Sequence, residues 1–187
     1  MKFYQTKWFW AVVILVIIIG YGVVSYNSFI SQNETVDKQW AQVETQYQRR
    51  FDLIPNLVAS VKGIMNQEQA VFLAIADART KYSGAVTVND KAAAATQVES
   101  ALGRLLVIME NYPALQSAQN VQILMAQLEG TENRISVERQ RFNDEVRSFN
   151  VSVQTLPSSL VAKMFGFSTR NYFEAATGSD VVPAVNL

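Results

Sequence analysis

The chain contains neither histidine nor cysteine among its 187 residues. It therefore has no imidazole to act as a general base near neutral pH, no thiol nucleophile, no disulfide and neither of the commonest transition-metal ligands. Net charge is absent as well, because 16 basic residues balance 16 acidic residues. Bulk attraction to a phosphate backbone is not expected, so we predict no nucleic-acid partner.

Carboxylates are the main catalytic side chains that remain. A site for magnesium or for hydrolysis could be drawn from Asp52 and Glu132, but both have arginine neighbours in the sequence, and an ion pair is the simpler explanation. The chain also has no glycine-rich phosphate loop and no G-x-S-x-G motif. We therefore expect no enzymatic activity, no cofactor, no metal site and no small-molecule substrate.

A long uncharged segment lies near the N-terminus, between Lys7 and Glu34. A helix of about 20 residues spans a hydrocarbon core of ~30 Å, and Trp8, Trp10 and Tyr21 lie where amphipathic rings favour the headgroup region. A cleaved signal peptide is the alternative, but its apolar core usually has only ~7–15 residues, and no clear small-x-small cleavage site follows. We predict an uncleaved membrane anchor within an N-terminal segment of residues 1–25.

The charges that flank this segment predict its orientation. Lys2 and Lys7 precede the segment, whereas Glu34 and Asp37 follow it with a single nearby cation, Lys38. Because positively charged flanks stay in the cytoplasm, the N-terminus is expected inside and the remaining chain outside a bacterial inner membrane. The predicted localisation is therefore single-pass, in the inner (cytoplasmic) membrane.

Helical periodicity extends over residues 30–153. Only two prolines occur there, Pro55 and Pro113, and apolar residues recur at steps of three and four. The first helix is expected to continue the membrane span. A second apolar stripe after Pro55 predicts a helix that ends near Gly84. The stripe of the first helix comprises Val36, Trp40, Val43, Tyr47 and Ile54.

Two further helices are predicted beyond Gly84. Asp90 is expected to cap the third helix and Pro113 to end it. The fourth is long and runs from about Ser117 to Val153. Short connections make successive helices antiparallel. The predicted fold class is thus all-α, with a transmembrane helix followed by an elongated antiparallel bundle of four helices over residues 26–155.

Polar residues cluster around Pro55 more densely than a plain bundle requires. Proline lacks a backbone N–H, so the helix is expected to kink or restart there, and Asp52 could accept the freed N–H groups. Arg49, Arg50 and Asn56 complete this cluster. Junction chemistry alone would also explain these residues.

A second polar cluster lies midway along the fourth helix and begins at Gly130. Glycine in a helix interior costs ~1 kcal/mol relative to alanine, and a close helix crossing would offset that cost. Glu132 or Asn133 is expected to pair across the bundle with one of the two arginines of the first cluster. Arg134 completes the second cluster. Both clusters are predicted to form a structural or interaction motif.

An aromatic-rich segment of residues 156–187 follows the fourth helix. Its many apolar side chains include Leu160, Met164 and Phe165, and few charges accompany them. The favoured interpretation is a cap over the bundle end or a neighbouring subunit. The alternative is a segment at the lipid interface, with Lys163 and Arg170 at the headgroups. The last residues are expected to be flexible.

Several of these strings together resemble one family. They are Y-N at 26–27, W-A-Q-V at 40–43, R-R-F-D-L-I-P-N-L-V at 49–58, N-Y-P-A-L at 111–115, G-T-E-N-R-I at 130–135, F-G-F at 165–167 and Y-F at 172–173. In this order and spacing, which cover almost the whole chain, they resemble the LemA family of bacterial membrane proteins. Phe51 stands where many members carry a histidine. The resemblance implies an N-terminal membrane helix, an antiparallel helical bundle and an envelope or membrane-organising role, and it does not imply an enzyme.

These observations lead to a functional hypothesis and one alternative. The hypothesis is a membrane-anchored helical scaffold of the bacterial envelope, with glutamine-rich helix faces suited to hydrogen bonds between helices. Its expected partners are membrane lipid and further copies of the chain in a homo-oligomer. Another envelope protein is a further candidate partner. The alternative is a lipid-binding or membrane-remodelling protein that acts through the bundle and the aromatic C-terminal segment.

Overall fold

The computed structural model describes residues 7–65 and 67–173. That part of the chain contains helices and no strand, so the predicted all-α class is confirmed. The predicted flexibility of the last residues lies outside the described residues, as does Lys2. The helices are α1 Lys7–Lys62, α2 Gln69–Gly84, α3 Val88–Met109, α4 Pro113–Gln116, α5 Gln119–Gln154 and α6 Ser158–Phe165.

The first helix does not restart at Pro55, contrary to the sequence prediction. Helix α1 continues through this proline and ends only at Lys62, and α2 begins at Gln69. Pro55 is exposed, while Ile54 and Leu57 on either side of it are fully buried in unbroken helical register. Packing of this stripe stabilises the helix across the proline, which outweighs the missing backbone hydrogen bond.

The cap of the third helix also differs from the prediction. Helix α3 begins one turn earlier than expected, because Thr87 and not Asp90 is its N-cap. The Thr87 hydroxyl accepts a hydrogen bond from the Asp90 backbone N–H at 3.1 Å and donates to the Asp90 carboxylate at 2.7 Å. This reciprocal arrangement resembles a capping box, with Asp90 at the third helical position.

The described residues divide into two compact units. The first contains the described residues up to 40 together with residues 141–172, and the second contains residues 41–140 together with Phe173. The boundaries predicted at residues 25 and 155 stay predictions.

Aromatic side chains pack the interior of the first unit. The rings of Phe29 and Phe149 are 6.5 Å apart between centroids, and those of Trp40 and Phe142 are 5.3 Å apart. Rising residue numbers on α1 therefore meet falling numbers on α5, so the two helices are antiparallel in this unit. Val36 and Val146 are fully buried here, as the apolar periodicity predicts.

The second unit is built around α2 and α3, which pack against each other after a short connection at residues 85–87. Segments of α1 and α5 complete its core. The buried positions of α3 include Val98, Leu102 and Leu105, and those of α5 include Ile135. These residues share the faces that the three-and-four spacing predicts.

The N-terminal part of α1 is apolar and lies uncovered. By length and composition, α1 and α3 could both cross a membrane, but 44% of the apolar window of α3 is buried and only 6% of that of α1. Helix α3 is thus a core helix of the second unit. The predicted anchor residues Trp8, Trp10 and Tyr21 are all exposed on α1.

Candidate functional site

The two polar clusters meet in the second unit through Arg50 and Glu132. The Arg50 guanidinium donates to the Glu132 carboxylate, and Glu99 of α3 lies 3.9 Å from the same nitrogen. Only 9% of the Arg50 side chain is exposed, against 43% for Glu132. The ion pair therefore links α1, α3 and α5 around a buried cation, and the structure forms one of the pairs that the sequence suggested.

A second, partly buried arginine extends this network. Arg139 of α5 donates hydrogen bonds to the Tyr47 hydroxyl and to the Glu99 carboxylate, and the Tyr47 hydroxyl lies 3.4 Å from Glu99. The Phe173 ring packs against Arg139, with the guanidinium carbon 4.5 Å from the ring centroid. Glu99 thus lies close to both arginines, and the aromatic ring partly shields Arg139 from water.

Three aromatic rings line the apolar side of the network. Phe51 stacks on Tyr47 at 5.9 Å between centroids and meets the edge of Tyr82 at 4.6 Å. Burial raises the pKa of the Tyr47 hydroxyl, as does the charge of Glu99, while Arg139 opposes the shift. Burial also raises the pKa of Tyr82, with a further contribution from Glu44. Phe51 is therefore a core residue in this chain and supplies no titratable group.

The sequence analysis missed Glu99 and Arg139. Arg139 falls on the apolar stripe of α5, between the buried residues Ile135 and Phe142, where a charged residue must find a partner. A charge at an apolar position of the pattern is the signal that could have identified it. Its partner on α3 could not be predicted, because residue spacing within one helix does not specify which helix lies opposite.

The remaining cluster residues lie at the surface. Arg49, Asp52, Gly130 and Arg134 line a cavity of about 670 Å³ together with apolar residues of α1 and α5. Asp52 accepts a hydrogen bond from the Gln48 side chain at 2.8 Å and caps no helix, because α1 is continuous there. The predicted role of Asp52 at a helix start is therefore wrong.

Gly130 does not mark a close helix crossing, which also corrects a prediction. A Cβ atom built on this residue meets nothing within 4 Å outside its own helix surroundings. The glycine therefore borders open space in the cavity just described. Asn56 and Asn133, like Pro55, are exposed.

A second cavity of the same unit has an apolar floor. It measures about 760 Å³ and is lined by α3, α4 and α5 together with Arg50 of α1. Leu102, Leu115 and Val121 form part of its buried floor, while Glu110 and Glu129 lie at its exposed edge. Such a cavity can receive an apolar side chain or ligand and has the size of an ordinary binding cleft.

The ionisable side chains of the network contact one another and leave no open constellation of metal ligands. Among residues 7–65 and 67–173, no group of three or more acidic side chains is arranged to hold a metal ion. The network can fix the positions of three helices relative to one another within the second unit. Its chemistry is that of ion pairs and hydrogen bonds, although the Nε atoms of Arg50 and Arg139 are buried without a hydrogen-bond partner in the described part of the chain.

The C-terminal segment packs onto the first unit through Arg170. Its backbone N–H donates to the Asn150 side chain at 2.7 Å, and the Asn150 amide donates to the Arg170 carbonyl at 2.9 Å. The Arg170 guanidinium donates to Asn33 at 2.8 Å and forms an ion pair with Asp37. The Arg170 guanidinium is therefore paired within the protein, and its predicted position at lipid headgroups stays a prediction.

Taken together, the described residues define an all-α protein in which the N-terminal part of α1 is apolar and exposed and an Arg50–Glu132 ion pair joins two helices of the second unit. The model of the LemA family matches residues 39–187. The chain belongs to this family.

Three magnetosome proteins are similar to the chain. Magnetosome protein MamQ of Magnetospirillum gryphiswaldense is 26% identical over 181 residues, and MamQ 1 and MamQ 2 of Paramagnetospirillum magneticum are each 25% identical over 181 residues. In each case the match covers 83% of this chain and 66% of the relative. The chain thus spans slightly less than two thirds of the length of these relatives. Family membership and the candidate N-terminal span support a membrane-associated protein.

Proposed function

We propose that this protein is a non-enzymatic, membrane-anchored helical scaffold of the bacterial envelope, which acts by self-association, by binding a membrane partner, or by both. One observation carries the proposal. The polar strings at 49–58 and 130–135 place Arg50 and Glu132 in an ion pair around a buried guanidinium, so these residues contribute to the framework of the second unit. A side chain held in this way is positioned to keep helices together.

The cavity between α3, α4 and α5 supports the binding part of the proposal. Its floor is apolar and its edge carries Glu110 and Glu129. An exposed apolar cavity of this size on a helical unit suits a side chain of a second protein molecule. Met125 lies partly exposed on its wall and is a suitable position for a test.

The proposed location is the bacterial inner membrane, with the N-terminus in the cytoplasm and the polar helices outside. The charges around the apolar segment support this orientation, since Lys7 precedes it and Glu34 follows it. The similarity to magnetosome proteins supports a role at a specialised structure of the cell. We propose that this chain serves such a structure by holding components in place.

A mass measurement on the full-length protein in detergent tests the scaffold directly. We expect an oligomer whose population rises with protein concentration. The Met125→Glu variant should dissociate it, because a carboxylate on the apolar wall opposes burial of that surface. Val86→Glu is the matched control, since Val86 is exposed outside this cavity and should leave the oligomer intact.

Two outcomes would contradict the proposal. A full-length protein that stays monomeric at every accessible concentration, and that recovers no partner from membranes of its own cells, would oppose both parts. Equal loss of the oligomer in Met125→Glu and Val86→Glu, with both variants folded by circular dichroism, would show that the cavity is not the contact.

A lipid-binding or membrane-remodelling protein is the second candidate. The observation that favours it is the exposure of large apolar side chains at the C-terminal end of the first unit. This candidate does not compete with the scaffold, because an assembly component can contact lipid at a second place.

A further inference from the structure

Helix α6 uses one face for packing and leaves the other uncovered. Ser159, Val161 and Ala162 are buried on the inner face. On the outer side, Leu160 is 64% exposed and Met164 is 71% exposed. They lie four residues apart and therefore on one stripe of the helix. The preceding Leu156 (76% exposed) adds a further exposed apolar side chain, whereas the terminal Phe165 (50%) lies towards the inner face, where its ring meets Tyr26.

Helix α6 lies beside the predicted membrane end of α1. The Phe165 ring is 4.8 Å from the Tyr26 ring between centroids, and Phe167 contacts both Tyr26 and Phe29 at 5.8 Å and 5.1 Å. Tyr26 comes two residues after Val24, the last residue of the apolar run. All these residues belong to the first unit, so α6 is held where the predicted span of α1 leaves the bilayer.

The charges around α6 point to the same surroundings. Residues 148–169 contain one charged side chain, Lys163, and residues 8–33 contain none. A surface that faces water is normally covered by charged residues, whereas a lipid-facing surface with a flanking lysine is typical of an interfacial helix. Removal of leucine and methionine side chains from water is favourable, which gives this surface a tendency to leave water.

We propose that the α6 surface, defined as Leu156, Leu160 and Met164, lies in the headgroup and acyl boundary of the same bilayer that α1 spans. Lys163, exposed beside Leu160, then reaches the lipid phosphates. The occupant of this surface is lipid because α6 packs beside the end of the apolar part of α1, which a bilayer must cover in any case. The inference rests on membrane anchoring by α1 and does not depend on self-association.

The absence of cysteine allows a direct test in the full-length protein. Single cysteines replace Leu160, Met164 and, as a second position outside the helix, Leu156, and each carries an environment-sensitive fluorophore. The proteins are reconstituted in vesicles of phosphatidylethanolamine and phosphatidylglycerol. Ile17→Cys serves as the reference within the span and Val86→Cys as the reference in water, since Val86 is 88% exposed in the second unit.

Lipid-attached and aqueous quenchers then report the surroundings of each label. We expect the labels at 156, 160 and 164 to be quenched by lipids that carry a quencher near the top of the acyl chain. They should also be several-fold less sensitive to iodide than the label at 86. Circular dichroism of each labelled variant shows that α6 substitutions leave the helix content unchanged.

Three outcomes would overturn the proposal. Labels on α6 that respond to iodide as the label at 86 does would place the surface in water. Labels protected from both quenchers, together with disulfide formation between copies of Leu160→Cys, would show that a second copy covers the surface. An Ile17 label accessible to iodide would show that α1 does not span the bilayer, and the inference would fail with it. A monomeric protein with lipid-quenched α6 labels would contradict only the scaffold.

Discussion

Arg50 lies almost entirely out of water, and its two carboxylate partners are unequal. Glu132 forms the direct ion pair, while Glu99 is 3.9 Å away and also binds Arg139. A buried cation that loses its partner cannot be hydrated, whereas a half-exposed carboxylate that loses its partner can. The pair is therefore asymmetric, and the two single substitutions should have different effects on stability.

We expect Glu132→Gln to lower the free energy of unfolding by about 2 kcal/mol and Arg50→Met to lower it by less. In Arg50→Met, the Glu132 carboxylate loses its partner but can be hydrated, and Glu99 still forms its ion pair with Arg139. The double variant should be more stable than Glu132→Gln alone. Chemical denaturation of the four proteins in the same detergent measures the cycle, and Glu129→Gln is an exposed control that should change little.

Glu99 also limits a charge-reversal experiment. Exchanging the charges of Arg50 and Glu132 would place a glutamate at position 50 within reach of Glu99. The exchange should therefore restore only part of the stability that either reversal alone removes. Full restoration would show that Glu99 does not interact with position 50.

Tyr47 and Tyr82 form a matched pair with different hydroxyl environments. The Tyr47 hydroxyl accepts a hydrogen bond from Arg139, whereas the buried Tyr82 hydroxyl has no hydrogen-bond partner within the described part of the chain. We expect Tyr47→Phe to destabilise the protein by about 1.5 kcal/mol and Tyr82→Phe to be neutral or stabilising. Thermal unfolding of both variants tests this, and the opposite order of stabilities would contradict the hydrogen bonding described above.

The raised pKa values of the same tyrosines predict instability in alkali. An unfolded tyrosine ionises near pH ~10, while the buried hydroxyls keep their protons to higher pH. Their contribution to stability is complete below that pH and is lost as the pH rises above it, because only the unfolded chain releases the protons. Unfolding free energy measured across this range should fall less steeply in Tyr82→Phe than in the parent protein. Identical slopes would contradict the shift.

Two glycines within helices have no neighbouring atoms that an added Cβ atom would meet. Gly130 and Gly103 of α3 both face open space, so neither position needs a missing side chain for packing. We expect Gly130→Ala and Gly103→Ala each to stabilise the protein by about 0.5–1 kcal/mol through helix propensity. Denaturation midpoints measure both. If only Gly130→Ala impaired oligomer formation, the cavity beside Gly130 would have a role in binding.

Element positions follow from the sequence where periodicity is strong. The buried stripes of α1, α3 and α5 were predictable because burial at steps of three and four is a property of one helix. The break after Lys62 was not, since the effect of Pro55 depends on how firmly the flanking residues Ile54 and Leu57 are packed. The short helices α4 and α6, which the four-helix prediction lacked, are likewise too short to leave a periodic signal.

The candidate site shows the same division between local and long-range information. The two polar strings identified Arg50 and Glu132 as related residues, but the sequence could not select Arg50 over Arg49. The choice is made by the face of α1 that is buried, because Arg50 falls beside Tyr47 and Ile54 on that face while Arg49 points to solvent. The docking of Phe173 on Arg139 is equally a tertiary contact that no spacing rule specifies.

For the molecule as a whole, orientation in the membrane is the property to measure. We predict that a cysteine at Val86 reacts with a membrane-impermeant maleimide in intact spheroplasts, whereas one at Gln5 reacts only after lysis. The charges that flank the apolar segment are the physical reason, because positive flanks remain in the cytoplasm. Reaction in the reverse order would place the polar helices inside the cell, and the proposed envelope partners would have to be abandoned.

The paired hydrogen bonds between Asn150 and residue 170 involve the main chain of the C-terminal segment, and only the guanidinium contacts depend on which residue stands there. Asn150 thus recognises the peptide group itself, as a neighbouring strand would. A chain with another residue at position 170 can therefore keep these two hydrogen bonds, provided that it keeps the asparagine. Loss of that single amide would remove both hydrogen bonds to the main chain of residue 170, whatever side chain stood there.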